Sequence, residues 1–339
     1  MRFSTNKLLG RRAVVVAALS ALSTLAHADV TLLNVSYDVT REFYKDYNQV
    51  FSAHWKKATG ERVTVNQSHG GSSKQANSVA EGLEADVITM NQANDIDILF
   101  NKGKLIPQDW AKRLPNNSAP TTSVTVILVR KGNPKNIKDW VDLARPGVSV
   151  VIPNPKTSGN GRYTYLAAYG SALKKGKDVS NARALVRGIF ANVPVFDGGG
   201  RAATTTFAQR NIGDALATFE SEVPLIKGEF GGDYEVIYPS LTVLAENPVS
   251  VVDKVVDKKG SRKQAEAYLK YLWSDEGQAV AARHHLRPRS TKVRAQFAKD
   301  FPKVNTFTVG DVFGGWTQAQ KEHFSDGGTY DQILAAGRK

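Results

Sequence analysis

Segments typical of buried strands alternate with segments of helical periodicity along most of this chain of 339 residues. Residues 30–35, 86–90 and 148–152 are apolar-rich runs of strand length, and residues 43–55 carry apolar side chains at helical spacing. Such alternation is typical of α/β folds with mostly parallel sheets. In sheets of this kind, ligands bind beyond the carboxyl ends of the strands.

Loops rich in Ser, Gly or Asn connect a predicted strand to a predicted helix at residues 37–40, 68–74, 154–162 and 197–201. A helix start presents N–H groups without partners and a partial positive charge, so it binds anions without needing Lys or Arg. Two of these loops precede a β-rich run at residues 121–130, and two follow it. If that run crosses between two lobes, the loops form a cage of donors around a small, fully ionised oxyanion.

The first 28 residues have the pattern of an export signal. Four basic residues precede an apolar run at residues 13–25, and residues 26–28 have the small-x-small pattern of a cleavage site. A membrane span needs about 18 or more apolar residues, so this shorter run predicts cleavage. We therefore expect a periplasmic protein whose mature chain begins near Asp29.

Composition limits the remaining classes of protein. The chain has no cysteine, so its stability must come from its core rather than from disulfides. Without the four basic residues of the signal, the net charge of +13 falls to about +9. Basic residues are interspersed with acidic ones and form no stripe with aromatic residues, so the charge indicates attraction of anions rather than binding of nucleic acid.

Long strings of this sequence are specific to one family. They lie at residues 33–38, 67–72, 113–118, 128–134, 153–159, 210–214, 244–246 and 313–316. These strings resemble the periplasmic sulfate-binding and thiosulfate-binding proteins of ATP-driven (ABC) uptake transporters, and the resemblance covers essentially the whole chain after the signal.

The resemblance implies an α/β fold of the periplasmic-binding-protein type II class, a two-lobed clamshell whose hinge consists of two crossing strands. We expect residues 1–28 to be the signal peptide, residues 29–120 and 247–339 to form one lobe, and residues 121–246 to form the other. The resemblance also implies a monomer that captures sulfate or thiosulfate, delivers it to a membrane permease and performs no chemistry on it.

In the resembled family, the dianion is held by backbone N–H groups, serine hydroxyls and, in the sulfate binders, an indole N–H. The matching ligand-binding positions in this chain are Asp38, Ser72, Ser158, Gly159, Asn160, Gly200 and Phe219. The main-chain N–H of Asp38 is the expected contact, with its carboxylate turned away. Supporting positions behind these are Asn91, Gln92, Arg162 and Arg201. For the two arginines an ordinary ion pair is an equal alternative, and for Asn91 and Gln92 a loop cap.

Two positions depart from the sulfate-binding pattern. Asn160 stands where sulfate binders have a second glycine, and Phe219 stands where they have the indole donor. The thiosulfate-binding branch is similar to this chain at both positions, whereas residues 249–259 and 287–289, away from the ligand loops, are more similar to the sulfate branch. The ligand positions therefore favour a protein that binds thiosulfate and also sulfate.

Two alternatives remain open from the sequence. The first is a binder of another tetrahedral oxyanion, phosphate or molybdate; phosphate carries a proton at neutral pH and needs an acceptor, which a donor-only site lacks. The second is a secreted hydrolase that uses Glu220 and Glu222 as paired carboxylates, although alternating acids on a strand usually face solvent. The chain lacks the G-x-S-x-G and H-E-x-x-H patterns, and we expect neither a metal nor a cofactor.

Overall fold

The computed structural model describes residues 29–176, 178–231 and 234–337, so the predicted signal peptide lies outside the described residues. The strands are β1 (Val30–Tyr37), β2 (Val63–Gly70), β3 (Val87–Thr89), β4 (Thr121–Arg130), β5 (Val150–Pro153), β6 (Phe196–Asp197), β7 (Ala215–Phe219), β8 (Tyr234–Ile237), β9 (Thr242–Asn247), β10 (Val249–Val251), β11 (Arg287–Pro288) and β12 (Thr306–Phe307).

Helices follow most of the strands. They are α1 (Arg41–Thr59), α2 (Ser72–Ala80), α3 (Ala93–Asn101), α4 (Pro115–Ser118), α5 (Gly159–Lys174), α6 (Val179–Ala191), α7 (Gly200–Thr204), α8 (Glu222–Phe230), α9 (Asp253–Lys259), α10 (Arg262–Tyr271), α11 (Asp275–Arg283), α12 (Thr291–Gln296), α13 (Val309–Phe313), α14 (Trp316–Ala319) and α15 (Thr329–Gly337). Short 3₁₀ turns lie at Asp38–Thr40, Trp110–Lys112 and Trp140–Ala144, and π turns at Thr205–Gln209 and Gln320–Phe324.

Two sheets define two lobes. The first sheet has the order β10-β3-β1-β2, in which β1, β2 and β3 are parallel. The second has the order β12-β9-β4-β7-β5-β6, in which β5, β6 and β7 are parallel but β4 runs antiparallel to β7 and β9. The predicted α/β, two-lobed class is confirmed, with a second sheet that is mixed rather than mostly parallel.

The hinge follows from where the chain changes sheets. It leaves the first sheet after β3 and enters the second at Thr121, the start of β4. It returns at Pro248, which joins β9 of the second sheet directly to β10 of the first. β4 and β9 pair at Thr121↔Asn247, so the two crossing segments lie side by side. This geometry places the carboxyl ends of the parallel strands of each sheet at the gap between the lobes.

Each sheet is covered on both faces by helices. In the first lobe, α1, α10 and α11 bury one face with Tyr47, Phe51 and Tyr268, while α2 and α3 cover the other. In the second lobe, α5 and α6 form the larger core. Among the described residues, every helix is too short or too polar to cross a membrane.

The C-terminal segment packs differently from the expected division into lobes. β12 pairs with β9 of the second sheet. Phe307, Phe313 and Phe324 lie in the same hydrophobic cluster as α5 and α6. We therefore propose a division in which the chain from about residue 306 belongs with the second lobe, whereas residues 249–283 pack against the first.

Candidate functional site

Three parallel strands of each lobe end at the gap between the lobes, and the loops after them touch. A Cβ added to Gly71, after β2, would lie 3.1 Å from the carbonyl oxygen of Thr157, which precedes α5 in the other lobe. A Cβ added to Gly200, at the start of α7, would lie 3.1 Å from the side chain of Val39, which follows β1. The lobes are therefore closed on each other, and we call this contact zone the junction.

Asp38 joins the two lobes through its side chain. Its Oδ2 atom accepts a hydrogen bond of 3.3 Å from the backbone N–H of Arg201, in the first turn of α7. Burial raises the pKa of the Asp38 carboxyl, and the N–H groups of Arg201, Asp38 and Val39 oppose that rise. The carboxylate is thus directed at a helix start of the other lobe, a partner available only when the lobes are closed.

The start of α2 supplies buried hydroxyls from the first lobe. Ser72 is 2% exposed, and its Oγ lies 3.3 Å from the Met90 sulfur. The next residue, Ser73, donates to Asp95 Oδ1 at 2.8 Å. Two hydroxyls therefore lie in the first turn of α2, where the helix dipole favours negative charge.

The start of α5 faces α2 from the second lobe. Ser158 is the N-cap of α5, and its Oγ accepts from the N–H of Gly161 at 3.4 Å. Asn91, which follows β3 in the first lobe, lies so close to Gly159 that any side chain at position 159 would overlap it. Glycine at this position lets an amide of one lobe approach the backbone of the other.

Asn160 and Phe219 complete the second-lobe side of the junction. The Asn160 Nδ2 atom lies 3.2 Å from Thr218 Oγ1, at the end of β7. Phe219 is 2% exposed, and its ring packs edge-on against Tyr163 with centroids 5.6 Å apart. An aromatic ring without a donor thus occupies the end of β7.

A buried ion pair links the lobes behind these groups. Arg162 of α5 lies 3.2 Å from Asp95 of α3, with side-chain exposures of 7% and 0%. The same Arg162 Nη1 donates to Ser73 at 2.9 Å, and Gln92 donates to the other oxygen of Asp95 at 2.6 Å. Of the two alternatives for Arg162, the structure shows an ion pair across the junction. Arg201 instead pairs near the surface with Glu229 at 2.7 Å.

The expectation that Glu220 and Glu222 face solvent is wrong. Glu220 is 5% exposed and accepts two hydrogen bonds from Arg287, and Glu222 is 1% exposed. Burial, reinforced by the neighbouring Asp38 carboxylate, raises the pKa of Glu222 well above its ordinary value. The salt bridge gives Glu220 a structural role. The described residues contain no group of three or more His, Cys, Asp or Glu side chains that could hold a metal ion.

Several buried oxygen atoms without hydrogen-bond partners lie around the junction. Within the described part of the chain they include Asn91 Oδ1, Gln92 Oε1, Asn160 Oδ1 and Glu222 Oε1. An unpaired buried polar group costs about 1–3 kcal/mol. A closed interface with several such atoms is typical of a place that a polar ligand completes.

The structure brings together Asp38, Asn160 and Gly200 around the start of α7, and Asn91 and Gly159 at the start of α5. Sequence reasoning missed Ser73, Asp95 and Thr218. Asp95 lies in the first turn of α3, whose N-cap residue is Gln92, and pairs with Arg162. A second serine directly after Ser72, in a loop predicted to start a helix, is the one local sequence signal for this network.

Comparison with known proteins identifies the family to which this chain belongs. The family model described as bacterial extracellular solute-binding protein matches residues 34–287. The chain is 62% identical over 324 residues to a thiosulfate-binding protein of Pseudomonas aeruginosa, covering 95% of this chain and 98% of that protein. It is 55% identical over 317 residues to a sulfate-binding protein of Escherichia coli, covering 93% and 96%.

A solved structure agrees with these relatives. The sulfate-binding protein SubI from Mycobacterium tuberculosis superposes with a TM-score of 0.78 at 30% identity, covering 86% of this chain and 98% of that one. The ferric binding protein from Campylobacter jejuni, with a TM-score of 0.62 at 18% identity, shares the fold.

Proposed function

This chain belongs to the bacterial extracellular solute-binding protein family, and on that premise we propose that it captures thiosulfate and sulfate for ATP-driven import. One observation carries the proposal: the loop after β1 and the starts of α2, α5 and α7 meet at a closed junction, so helix starts whose first N–H groups have no partner within the helix converge there. The names of the relatives, a thiosulfate-binding and a sulfate-binding protein, support the ligand.

The proposed contacts are uncharged donors from both lobes. The first lobe contributes the N–H of Asp38 and the hydroxyl of Ser72. The second contributes the hydroxyl of Ser158 and the N–H groups of Gly159, Asn160 and Gly200. Hydrogen bonds to a charged acceptor are about twice as strong as neutral ones, and the helix starts add favourable partial charges.

We propose sulfur oxyanions rather than phosphate as the ligand. Phosphate near neutral pH carries a proton and needs an acceptor, whereas sulfate and thiosulfate are fully ionised. The names of the relatives, a thiosulfate-binding and a sulfate-binding protein, support this choice. Phe219 has no N–H, and its ring suits the larger and more weakly accepting sulfur of thiosulfate.

The proposed mechanism is capture followed by closure. The anion binds to one open lobe, and the other lobe then closes on it through the bond from Arg201 to Asp38 and the Arg162–Asp95 pair. The closed monomer delivers the anion to a membrane permease in the periplasm, without a cofactor and without chemistry on the ligand. Supporting roles follow for Asn91 and Gln92, which line the junction.

Calorimetric titration of the ligand-stripped protein with sulfate, thiosulfate, phosphate and molybdate tests this proposal. We expect tight binding of thiosulfate, weaker or equal binding of sulfate, and no binding of phosphate. Tight binding of phosphate or molybdate, or no binding of either sulfate or thiosulfate, would contradict it.

A further inference from the structure

The amide of Asn160 lies between the starts of two helices. Asn160 is in the first turn of α5 and is 2% exposed. Its Nδ2 atom lies 3.2 Å from the place where a Cβ on Gly200, the first residue of α7, would stand. The Nδ2 atom donates to Thr218 Oγ1 at 3.2 Å, while the other end of the amide, Oδ1, is buried and has no hydrogen-bond partner among the described residues.

Thr218 has a fixed position in the second sheet. It lies in β7, opposite Val126 of the crossing strand β4, and is 1% exposed. A threonine hydroxyl either donates or accepts, and the β-branched side chain has few rotamers. The hydroxyl of Thr218 therefore holds one end of the Asn160 amide at a constant position.

We propose that Thr218 is a positioning residue that directs the side-chain N–H₂ of Asn160 at the bound oxyanion. Asn160 then supplies a side-chain donor at the end of β7 where Phe219 supplies none. This inference rests on the proposed function, because it assumes an anion at the junction.

In the structure the Nδ2 end of the amide faces Thr218 and the Oδ1 end has no partner, so the proposed ligand-bound orientation is the reverse of this one. Rotation about the last side-chain torsion exchanges Oδ1 and Nδ2, which are nearly equal in shape. With Oδ1 towards Thr218, the hydroxyl donates to it, and the N–H₂ takes the unpartnered position. The opposite orientation points a carbonyl oxygen towards a dianion, so the anion favours the donor orientation.

Titration calorimetry with sodium thiosulfate tests the pair through a double-mutant cycle. We expect Thr218→Val and Asn160→Ala each to weaken binding about tenfold, the effect of one hydrogen bond to a charged group. The double variant should bind within about threefold of Asn160→Ala alone, because both changes remove the same donor. Thr218→Ser, which keeps the hydroxyl, should bind within about threefold of the unmodified protein.

A second variant keeps the test decisive if Thr218→Val fails to fold. Asn160→Asp preserves the shape and replaces the donor by a carboxylate, so thiosulfate affinity at pH 8 should fall by about a hundredfold or more. Ser171→Ala is the matched control, because it removes a buried hydroxyl from the far part of α5. Its affinity should equal that of the unmodified protein.

The outcomes separate this inference from the proposed function. If the unmodified protein binds neither thiosulfate nor sulfate, the proposed function fails. If it binds but Asn160→Asp or Thr218→Val binds equally well, or if the effects of Thr218→Val and Asn160→Ala add, only the positioning role is overturned.

Discussion

Two of the regions that bury polar side chains in the described chain differ in whether they satisfy their own hydrogen bonds. In the first lobe, Tyr268 donates to Asn48 at 2.6 Å and accepts from Asn34 at 3.1 Å, while Thr89 donates to Asn34 at 3.0 Å. We call this set the Tyr268 network. At the junction, by contrast, Asn91, Asn160 and Glu222 each keep a buried atom without a partner in the described chain.

The difference separates a structural role from a functional one. The Tyr268 network lies within one lobe, so it is complete whether the lobes are open or closed. The junction joins two lobes, and its polar groups are exposed to water whenever the lobes separate. Closing them costs free energy unless a ligand replaces that water, which is the condition for a binding protein that closes on its anion.

The largest expected effect comes from a substitution that disturbs only the junction. Gly159→Val would overlap Asn91 of the other lobe on closure, so we expect thiosulfate binding to weaken by about 3 kcal/mol or more. Calorimetry measures the loss, and thermal unfolding should show little change. Gly228→Val is the matched control, because a Cβ there meets nothing within 4 Å. Equal affinities in both variants would mean that Gly159 does not approach Asn91 in the ligand-bound state.

The converse substitution disturbs only the Tyr268 network. Tyr268→Phe leaves the Asn34 donor and the Asn48 acceptor buried and unpaired, so we expect the free energy of unfolding to fall by about 2.5 kcal/mol. Urea denaturation measures this loss. Anion affinity should stay unchanged, and a large loss of affinity in this variant would remove the distinction between the two regions.

Acid should lower the stability of the fold through the buried His323. Burial lowers the pKa of His323 to about 4, and its Nδ1 pairs with the Tyr165 hydroxyl at 2.7 Å. The unfolded chain binds this proton below about pH 6.5, so stability should fall as the pH falls from 6.5 towards 4, by about 2 kcal/mol at pH 5. His323→Gln should flatten the dependence in urea denaturation, and an unchanged slope would contradict the assignment.

The smallest expected effect concerns the preference of the junction between sulfate and thiosulfate. Phe219→Trp adds an indole N–H at the end of β7. We therefore expect the free energy of sulfate binding to become more favourable by about 1 kcal/mol relative to that of thiosulfate binding. Competition titration with both anions measures this difference. A shift towards thiosulfate would show that the aromatic ring at position 219 does not set the preference.

Local sequence patterns predicted much of the fold and the position of the junction. The run at residues 121–130 became the crossing strand β4, and the loops containing Ser72, Ser158 and Gly200 open helices at strand ends. Strand length is less predictable: residues 249–255 form an apolar-rich run of strand length, but β10 ends at Val251 and α9 begins at Asp253. The acidic residue in the first turn stabilises that helix start.

Contacts between distant segments could not be predicted. Glu220 is buried because Arg287, 67 residues later, pairs with it at 2.6 Å. Asp95 meets Arg162 only because two lobes close on each other. No periodicity or local motif records such partners, so the residues that hold the junction together were harder to find than the loops that form it.

Amide hydrogen exchange with and without thiosulfate tests the central claim most directly. We predict that thiosulfate slows exchange at the backbone N–H groups of Asp38, Gly159, Asn160 and Gly200, because the ligand becomes their hydrogen-bond acceptor. Exchange at Asn34 and Thr89, in the Tyr268 network, should be unchanged. Protection that appears equally in both regions, or no protection at the junction despite bound thiosulfate, would contradict the claim that the anion completes the junction.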